Sequence, residues 1–469
     1  MRITWLVLLT IPAILWVRAQ TQSRLVQWLD KQYEAIRRDL VMGLIQRGSA
    51  SKRGIATTGK PSSGSTNPES VNTAPQRGKS LRVTSQYFNN KFQEPVAEDI
   101  PFPCDTAPGS PGARSATRPT SVHRLRPGDI DVIGAMGDSL TAGSSTAATN
   151  LAELIIENRG MSWSGGGEST WREYLTLPNI LKKFNPSLIG YAVRDSLGFQ
   201  KSSQFNVAEP FGITSDMPFQ AELLVKRMRS DKRVDYENDW KMVTIMIGAN
   251  DFCCHMCYLQ NFSVTPQLHK NSLTKALDYL RDNMPRTIVN LVVPPQLTKV
   301  QEYRGKPVIC SLINKIECPC MFGSRWEYLK ENFAQIIREV QEIELQLAMS
   351  SQYNSNDSFA VVGHPFLVDA SIPSKKTARG EITDFSFLAE DCFHFSQKTH
   401  ASGQFSCLSL TVTRDLLVMY CVTVRVTLRL SFSVSLSWCR APRILMLVNL
   451  LSFPRHAPLL TSGWVCQLS

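Results

Sequence analysis

The sequence lacks the marks of several protein classes. Its 26 Gly and 26 Pro among 469 residues follow no regular repeat, which excludes a collagen-like chain. Hydrophobic residues make up 43% and charged residues 19%, so the chain is not wholly disordered. We find no zinc-finger spacing and no aromatic RNA-recognition motif. The length leaves room for two to four domains of roughly 100–200 residues each.

The positive charge is confined to the two ends of the chain. The formal net charge is +11, but residues 1–82 carry +9, residues 83–401 carry −3 and residues 402–469 carry +5. A nucleic-acid groove needs a basic surface in the folded part. The slightly acidic middle therefore predicts no nucleic-acid partner.

The N-terminal apolar run is short. It extends from Ile3 to Val17, between Arg2 and Arg18, and so covers about 15 residues, whereas a membrane-spanning helix needs about 20. This pattern predicts a signal peptide over residues 1–20. The alternatives are an uncleaved anchor and a buried helix.

Residues 21–100 are predicted to precede the main domain. Apolar residues recur at helical spacing over residues 24–46, which predicts a short amphipathic helix. Residues 47–80 are rich in Ser, Thr, Gly, Pro and basic residues, a composition typical of a disordered linker.

Residues 401–469 form a divergent tail. From residue 402 onward it contains no Lys, and Asp415 is its one acid. Arg425 and Arg429 interrupt its most apolar stretch, so we expect no transmembrane helix there. We interpret the tail as an alternative or mistranslated end, such as a retained intron, which would leave the preceding domain without its last helix.

The cysteine clusters have two interpretations. Of twelve cysteines, three lie within residues 253–257 and three within residues 310–320. A zinc site using His255 is conceivable, but the spacings match no standard zinc pattern, and an oxidising compartment favours disulfides. The sequons at Asn261 and Asn356 are compatible with secretion.

From Asp129 onward, short β-rich runs alternate with helical patterns. Strands are predicted over residues 130–135, 204–207, 242–247, 287–293 and 359–362, and helices over residues 218–228, 271–283 and 326–349. This alternation predicts an α/β fold with a parallel sheet covered on both faces. Functional loops should then lie at the carboxyl ends of the strands.

Three short motifs fall near predicted strand ends. Gly137-Asp138-Ser139-Leu140 follows the first strand and offers an exposed serine on a turn, although Asp and Ser are also common helix caps. Asn250, in Gly-Ala-Asn-Asp, offers a side-chain amide that could stabilise an oxyanion, although alone it is simply a turn residue.

The third motif contains an acid and a histidine. Asp391 precedes His394 by three residues, so the carboxylate could orient the imidazole and stabilise its cation. The imidazole could then accept a proton from a serine hydroxyl. Each motif is weak alone, and their order along the chain is what makes the set specific.

Together these motifs resemble the GDSL, or SGNH, hydrolase family, and more narrowly its membrane-associated phospholipase B branch. The resemblance covers about residues 101–400. Besides the three motifs it includes several longer stretches, at residues 119–130, 161–164, 176–181, 205–208 and 216–218.

The resemblance implies a flavodoxin-like three-layer α/β/α sandwich. It implies Ser139 as nucleophile, His394 as base and Asp391 as the group that orients His394, with no metal and no cofactor. The oxyanion hole would combine the Ser139 N–H, the Asn250 side chain and a backbone N–H of the family's second block, which is residues 206–212 here.

The second block departs from the family pattern. Counting back from Asp216-Met217-Pro218, the position expected to be Gly is occupied by Phe211, and Gly212 follows it. Because the donor is a backbone N–H, either residue could serve, and we predict Gly212.

The implied function is a serine ester hydrolase of the phospholipase B type. It would release fatty acids from phospholipids and lysophospholipids at membrane or micelle surfaces, through an acyl-enzyme. The alternatives are a general acyl or carbohydrate esterase and a catalytically silent lipid-binding protein. We expect the protein to be secreted or to lie on the extracellular face of the plasma membrane. With one nucleophile block, the chain is expected to be a single-repeat form or a fragment.

Overall fold

A computed structural model describes residues 90–378 and 380–402. The predicted signal peptide, amphipathic helix and linker, and the tail from residue 403, lie outside the described residues. Within the described part, the chain is tied to the main domain from Lys91 onward. Its ammonium group pairs with Glu390 at 2.8 Å, and the Gln93 N–H donates to the Gln397 side chain at 2.7 Å.

The centre of the fold is a parallel sheet in the order β1-β2-β3-β4. Its strands are β1 (Val132–Gly137), β2 (Lys241–Met246), β3 (Thr287–Val292) and β4 (Phe359–His364). Single parallel bridges from Val132 to Ile189 and from Ala135 to Asn206 place two short segments beyond β1. Counting the two together as the second strand in the chain, the order becomes 2-1-3-4-5, which is the flavodoxin-like order.

Nine helices lie around the sheet in the described residues. They are α1 (Ser139–Ala142), α2 (Leu177–Phe184), α3 (Met217–Ser230), α4 (Thr265–Asn283), α5 (Val308–Glu317), α6 (Pro319–Phe322), α7 (Lys330–Met349), α8 (Ser351–Asn354) and α9 (Gln397–Ala401). A small antiparallel hairpin, β5 (Ser374–Thr377) and β6 (Gly380–Thr383), stands apart from the sheet.

The two faces of the sheet bury different clusters because side chains alternate along a strand. Val243 and Ile245 join one core with residues of α3, α4 and α7, whereas Met242 contacts the other core with Leu181 of α2. The second face is otherwise covered by irregular segments that include Val122. The predicted α/β sandwich is confirmed, with one thick helical layer and one thin layer.

All the predicted elements except one strand agree with the structure apart from their bounds. The run predicted as a strand over residues 204–207 forms only an isolated bridge to Ala135, because the chain turns at both sides of it. Within residues 90–378 and 380–402, no helix is both long enough and apolar enough to span a membrane.

Candidate active site

The turn after β1 presents Ser139 at the start of a helix. Gly137 has φ 146°, and a Cβ there would lie 2.2 Å from the Met246 carbonyl oxygen, so no other residue fits. The Asp138 carboxylate accepts the Leu140 N–H at 3.0 Å and caps α1. Among the hydrogen bonds of the described residues, none uses the Ser139 N–H, which is therefore available to a ligand.

A tight turn carries Asp391 and His394. It is closed by an antiparallel bridge between Leu388 and Phe395. Inside it, the Asp391 Oδ1 accepts the backbone N–H groups of Phe393 at 2.8 Å and of His394 at 2.9 Å. These bonds fix the direction of the carboxylate.

The three side chains form a continuous hydrogen-bonded chain. The His394 Nε2 lies 2.9 Å from the Ser139 Oγ, and the His394 Nδ1 lies 2.7 Å from the Asp391 Oδ2. Ser139 and His394 are 255 residues apart in sequence. Asp391 is fully buried, whereas the His394 side chain keeps 12% exposure and so reaches the surface.

The electrostatics of the site favour an imidazolium. Burial disfavours the charged ring, but the charge and hydrogen bond of Asp391 outweigh it and raise the pKa of His394 to about 9. Burial also opposes ionisation of Asp391, yet the interactions with His394 and the backbone N–H groups hold its pKa below the usual value. Burial raises the pKa of Asp138 to about 7.

Asn250 is hydrogen-bonded to the second block. It follows β2, and its Nδ2 donates to the Gly212 carbonyl oxygen at 2.9 Å. The Gly212 N–H donates in turn to the Glu209 carbonyl oxygen at 2.9 Å. Phe211 has φ 62°, the left-handed conformation that favours glycine. No acceptor for the Phe211 N–H is found among the described residues.

A buried network, which no sequence motif indicated, joins the segment after the Phe211–Gly212 turn to the segment that carries Asn250. Thr214 donates its N–H and Oγ1–H to the Asp251 Oδ2 at 2.9 and 3.0 Å. The Thr214 Oγ1 also lies 2.8 Å from the His269 Nδ1, and the His269 Nε2 lies 2.8 Å from the Glu344 Oε1. Burial raises the pKa of Asp251 and of Glu344. This network fixes the spacing between Asn250 and the Phe211–Gly212 turn.

Two further side chains contact the site and had no sequence signal. The Gln220 amide accepts the Gly137 N–H and donates to the Gly137 carbonyl oxygen, both at 2.8 Å, and so pins the end of β1. Glu317, on α5, has a buried Oε2 that forms no hydrogen bond among the described residues. Burial, and then the charge of Asp391, raise the pKa of Glu317 well above the usual value.

Glu317, Asp391 and His394 also form the one group of potential metal ligands found among the described residues. Their ligand atoms all lie within 4.8 Å of one another. Asp391 and His394 are already hydrogen-bonded to each other, and His394 is hydrogen-bonded to Ser139. The group therefore has the organisation of a hydrolytic triad with one extra carboxyl group.

Three disulfides hold the region around the site, which confirms the interpretation of the clusters as bridges. They join Cys253 to Cys318, Cys257 to Cys320 and Cys310 to Cys392. The third attaches α5 to the turn between Asp391 and His394. Cys254 stays a buried thiol, whose Sγ donates to the Glu317 carbonyl oxygen at 3.0 Å.

The sequence family follows from a match over most of this domain. The model of the GDSL-like lipase/acylhydrolase family matches residues 133–402, more than half of the chain. The chain belongs to that family. All the site residues described above lie inside the matched range.

The chain is also similar to curated relatives named "Phospholipase B1, membrane-associated". The human protein is 40% identical over 294 residues, which cover 61% of this chain and 20% of the relative. The rat protein is 39% identical over 322 residues, covering 66% and 21%. This family member therefore spans about a fifth of the length of the relatives it matches.

Among solved structures, the chain is similar to an extracellular lipase from Streptomyces rimosus, with 14% identity and a TM-score of 0.28 over 58% of this chain and 94% of the lipase. A putative GDSL-like lipase from Parabacteroides merdae gives 16% identity and a TM-score of 0.23, over 50% and 88%.

Proposed function

We propose that this protein is a serine ester hydrolase of the phospholipase B type, which releases fatty acids from phospholipids and lysophospholipids. The observation that carries the proposal is the hydrogen-bonded chain from Ser139 through His394 to Asp391, with distances of 2.9 and 2.7 Å. Membership of the GDSL-like lipase/acylhydrolase family and the similarity to phospholipase B1 support the choice of substrate.

In the first half of the reaction, the Ser139 Oγ attacks the ester carbonyl carbon while the His394 Nε2 accepts its proton. The buried Asp391 carboxylate stabilises the imidazolium. When the tetrahedral intermediate collapses, the glycerol oxygen leaves with the proton from His394, and the fatty acyl group stays on Ser139. Water then repeats the sequence with His394 as base, releasing the fatty acid.

The oxyanion is stabilised by backbone and side-chain donors. The free Ser139 N–H and the Asn250 Nδ2 supply two of them, and the Phe211–Gly212 turn supplies the third. Gly212 was the expected third donor, but its N–H already donates to Glu209. We therefore assign this role to the Phe211 N–H, which has no acceptor within the described part of the chain.

We further propose that residues 101–400 act as one hydrolase domain of a secreted or cell-surface protein. Three disulfides support an oxidising compartment. Both sequon asparagines, Asn261 and Asn356, are exposed and could carry glycans. In this proposal, the region before the domain is a leader and the tail after it is a divergent end.

The test combines a covalent probe with a comparison of substrates. A fluorophosphonate should label the wild-type protein on Ser139 and leave the Ser139→Ala variant unlabelled. Fatty acid release should then be measured from phosphatidylcholine, lysophosphatidylcholine, a short soluble ester and an acetylated sugar.

The outcomes separate the candidate functions. Turnover of the two phospholipids that Ser139→Ala abolishes supports the proposal. Turnover of the soluble ester or the acetylated sugar alone would instead identify a general acyl or carbohydrate esterase. A folded, unlabelled protein that binds lipid without turnover would identify a silent lipid-binding protein.

A further inference from the structure

The outer surface of α5 is apolar where a surface helix is normally polar. Val308 is 88% exposed, Leu312 57% and Ile309 45%. Leu312 lies four residues after Val308 and three after Ile309, so the three side chains share one side of the helix. The inner face, by contrast, includes the buried polar residue Asn314. A contiguous exposed apolar face of this kind marks an interaction site more often than a random surface.

This helix is attached directly to the catalytic turn. The Cys310–Cys392 disulfide joins them, and the Asn314 Nδ2 donates to the Asp391 carbonyl oxygen at 2.9 Å. Farther along the same inner face, the Glu317 carboxyl lies within 4.8 Å of the reacting groups. The apolar face is therefore the outer side of the helix whose inner side supports the turn that carries His394.

The charge on this face is positive. Lys315 is the only exposed charged residue of α5, and it lies seven residues after Val308, on the same side of the helix. The acid of α5, Glu317, belongs to the inner face. An apolar stripe with basic residues beside it is the pattern of helices that lie in a lipid interface.

The neighbouring hairpin carries charges of both signs. The Thr383 N–H donates to the Arg304 carbonyl oxygen at 3.1 Å, which attaches β6 to the segment just before α5. Lys375 and Lys376 of β5 are exposed. Lys375 pairs with Asp384 at 3.2 Å, and Glu381 is the exposed acid of β6.

We propose that the outer face of α5 docks on an anionic phospholipid surface, with Val308, Ile309 and Leu312 entering the acyl boundary and Lys315 lying among the headgroups. This inference rests on the proposed function, because an ester bond buried in a lipid layer is reached only by an enzyme held at its surface. A second copy fits less well, since a contact between two such faces would cover Lys315 with no exposed acid of α5 to pair with it.

Vesicle binding tests the proposal in the full chain, made as a disulfide-bonded protein. Binding is measured by sedimentation with vesicles of phosphatidylcholine, with and without phosphatidylserine, in a Ser139→Ala background that leaves the vesicles intact. The test variants are Val308→Ser with Leu312→Ser, and separately Lys315→Gln. The control is Met349→Ser, because Met349 is 75% exposed and ends a different helix, α7.

We expect the double variant to lose at least tenfold in vesicle binding, since a buried Val or Leu side chain contributes about 1.5–3 kcal/mol and about 1.4 kcal/mol is tenfold. Lys315→Gln should lose about fivefold, and only on vesicles that contain phosphatidylserine. The Met349→Ser control should bind as its parent does.

Two further measurements keep the outcomes distinct. With Ser139 restored, the double variant should hydrolyse a short soluble ester at the wild-type rate, which shows that it folds and keeps its site. Unchanged vesicle binding by the double variant in the Ser139→Ala background would overturn the inference. So would a change in its monomer–dimer equilibrium with vesicle binding intact, because the face would then contact a second copy. If the wild type binds vesicles through α5 but hydrolyses no phospholipid, the proposed function fails and the docking surface stands.

Discussion

The extra carboxyl group beside the triad leads to a prediction about pH dependence. Glu317 raises the pKa of His394, and its ligand atom lies within 4.8 Å of the imidazole. Burial raises the pKa of Glu317 itself, so its charge acts on His394 only where Glu317 is ionised. Replacing Glu317 by Gln removes that charge, which stabilises the imidazolium. The pKa of His394 should therefore fall, and the acid limb of the kcat/KM profile should move to lower pH.

The size of the shift follows from Coulomb's law. At 4.8 Å, two unit charges interact by about 3.5 kcal/mol at an effective dielectric of about 20 and by about 0.9 kcal/mol in water. One pKa unit corresponds to about 1.36 kcal/mol, so the expected shift lies between about 0.6 and 2.5 units. In the wild type, the limb should lie above the ordinary range of histidine, because the pKa of His394 is raised to about 9.

The assay is hydrolysis of a short soluble ester from about pH 5 to about pH 10, which avoids any effect of lipid binding. Glu327→Gln is the matched control, since Glu327 is an exposed acid of the neighbouring segment, paired with Lys330 at 3.0 Å. An acid limb that stays in place in Glu317→Gln, or that moves to higher pH, would refute an electrostatic role of Glu317. A fall in kcat at every pH with no shift would indicate a structural role instead.

Three other substitutions test separate parts of the site. Asn250→Ala should lower kcat on the soluble ester by about 100- to 1000-fold with little change in KM, and a loss below threefold would exclude Asn250 from the oxyanion hole. Phe211→Gly should keep kcat within about threefold, because the backbone N–H acts and glycine accepts the φ of 62°; a tenfold loss would show that the side chain is needed. Replacing Cys310 and Cys392 together by Ser opens a loop with a sequence separation of 82 residues and should cost about 2–4 kcal/mol in the free energy of unfolding, measured with urea. An unchanged denaturation midpoint would contradict this.

The fold was largely predictable from local patterns. Apolar runs such as residues 287–293 alternate with helical periodicity, and a sheet covered on both faces is the usual way to bury them. The strand predicted over residues 204–207 was reduced to a bridge because its neighbours turn away. Periodicity does not contain that information, since it reports which side chains are apolar and not where the chain bends.

The sequence by itself determined which residues could carry the chemistry. Ser139, Asn250, Asp391 and His394 stand in short motifs whose residue types suit nucleophilic catalysis, and each motif folds locally. The separation of 255 residues between Ser139 and His394 contains no information on their distance. Only the tertiary fold brought them within 2.9 Å of each other.

The tertiary structure alone decided which groups surround these residues. Glu317 lies beside His394 because the Cys310–Cys392 disulfide and the Asn314–Asp391 hydrogen bond hold α5 against the catalytic turn. The choice between Phe211 and Gly212 depended on one backbone dihedral angle and one hydrogen bond. The physical reason is the same in both cases: charge interactions and donor geometry act over a few ångströms, and those distances exist only once the chain is folded.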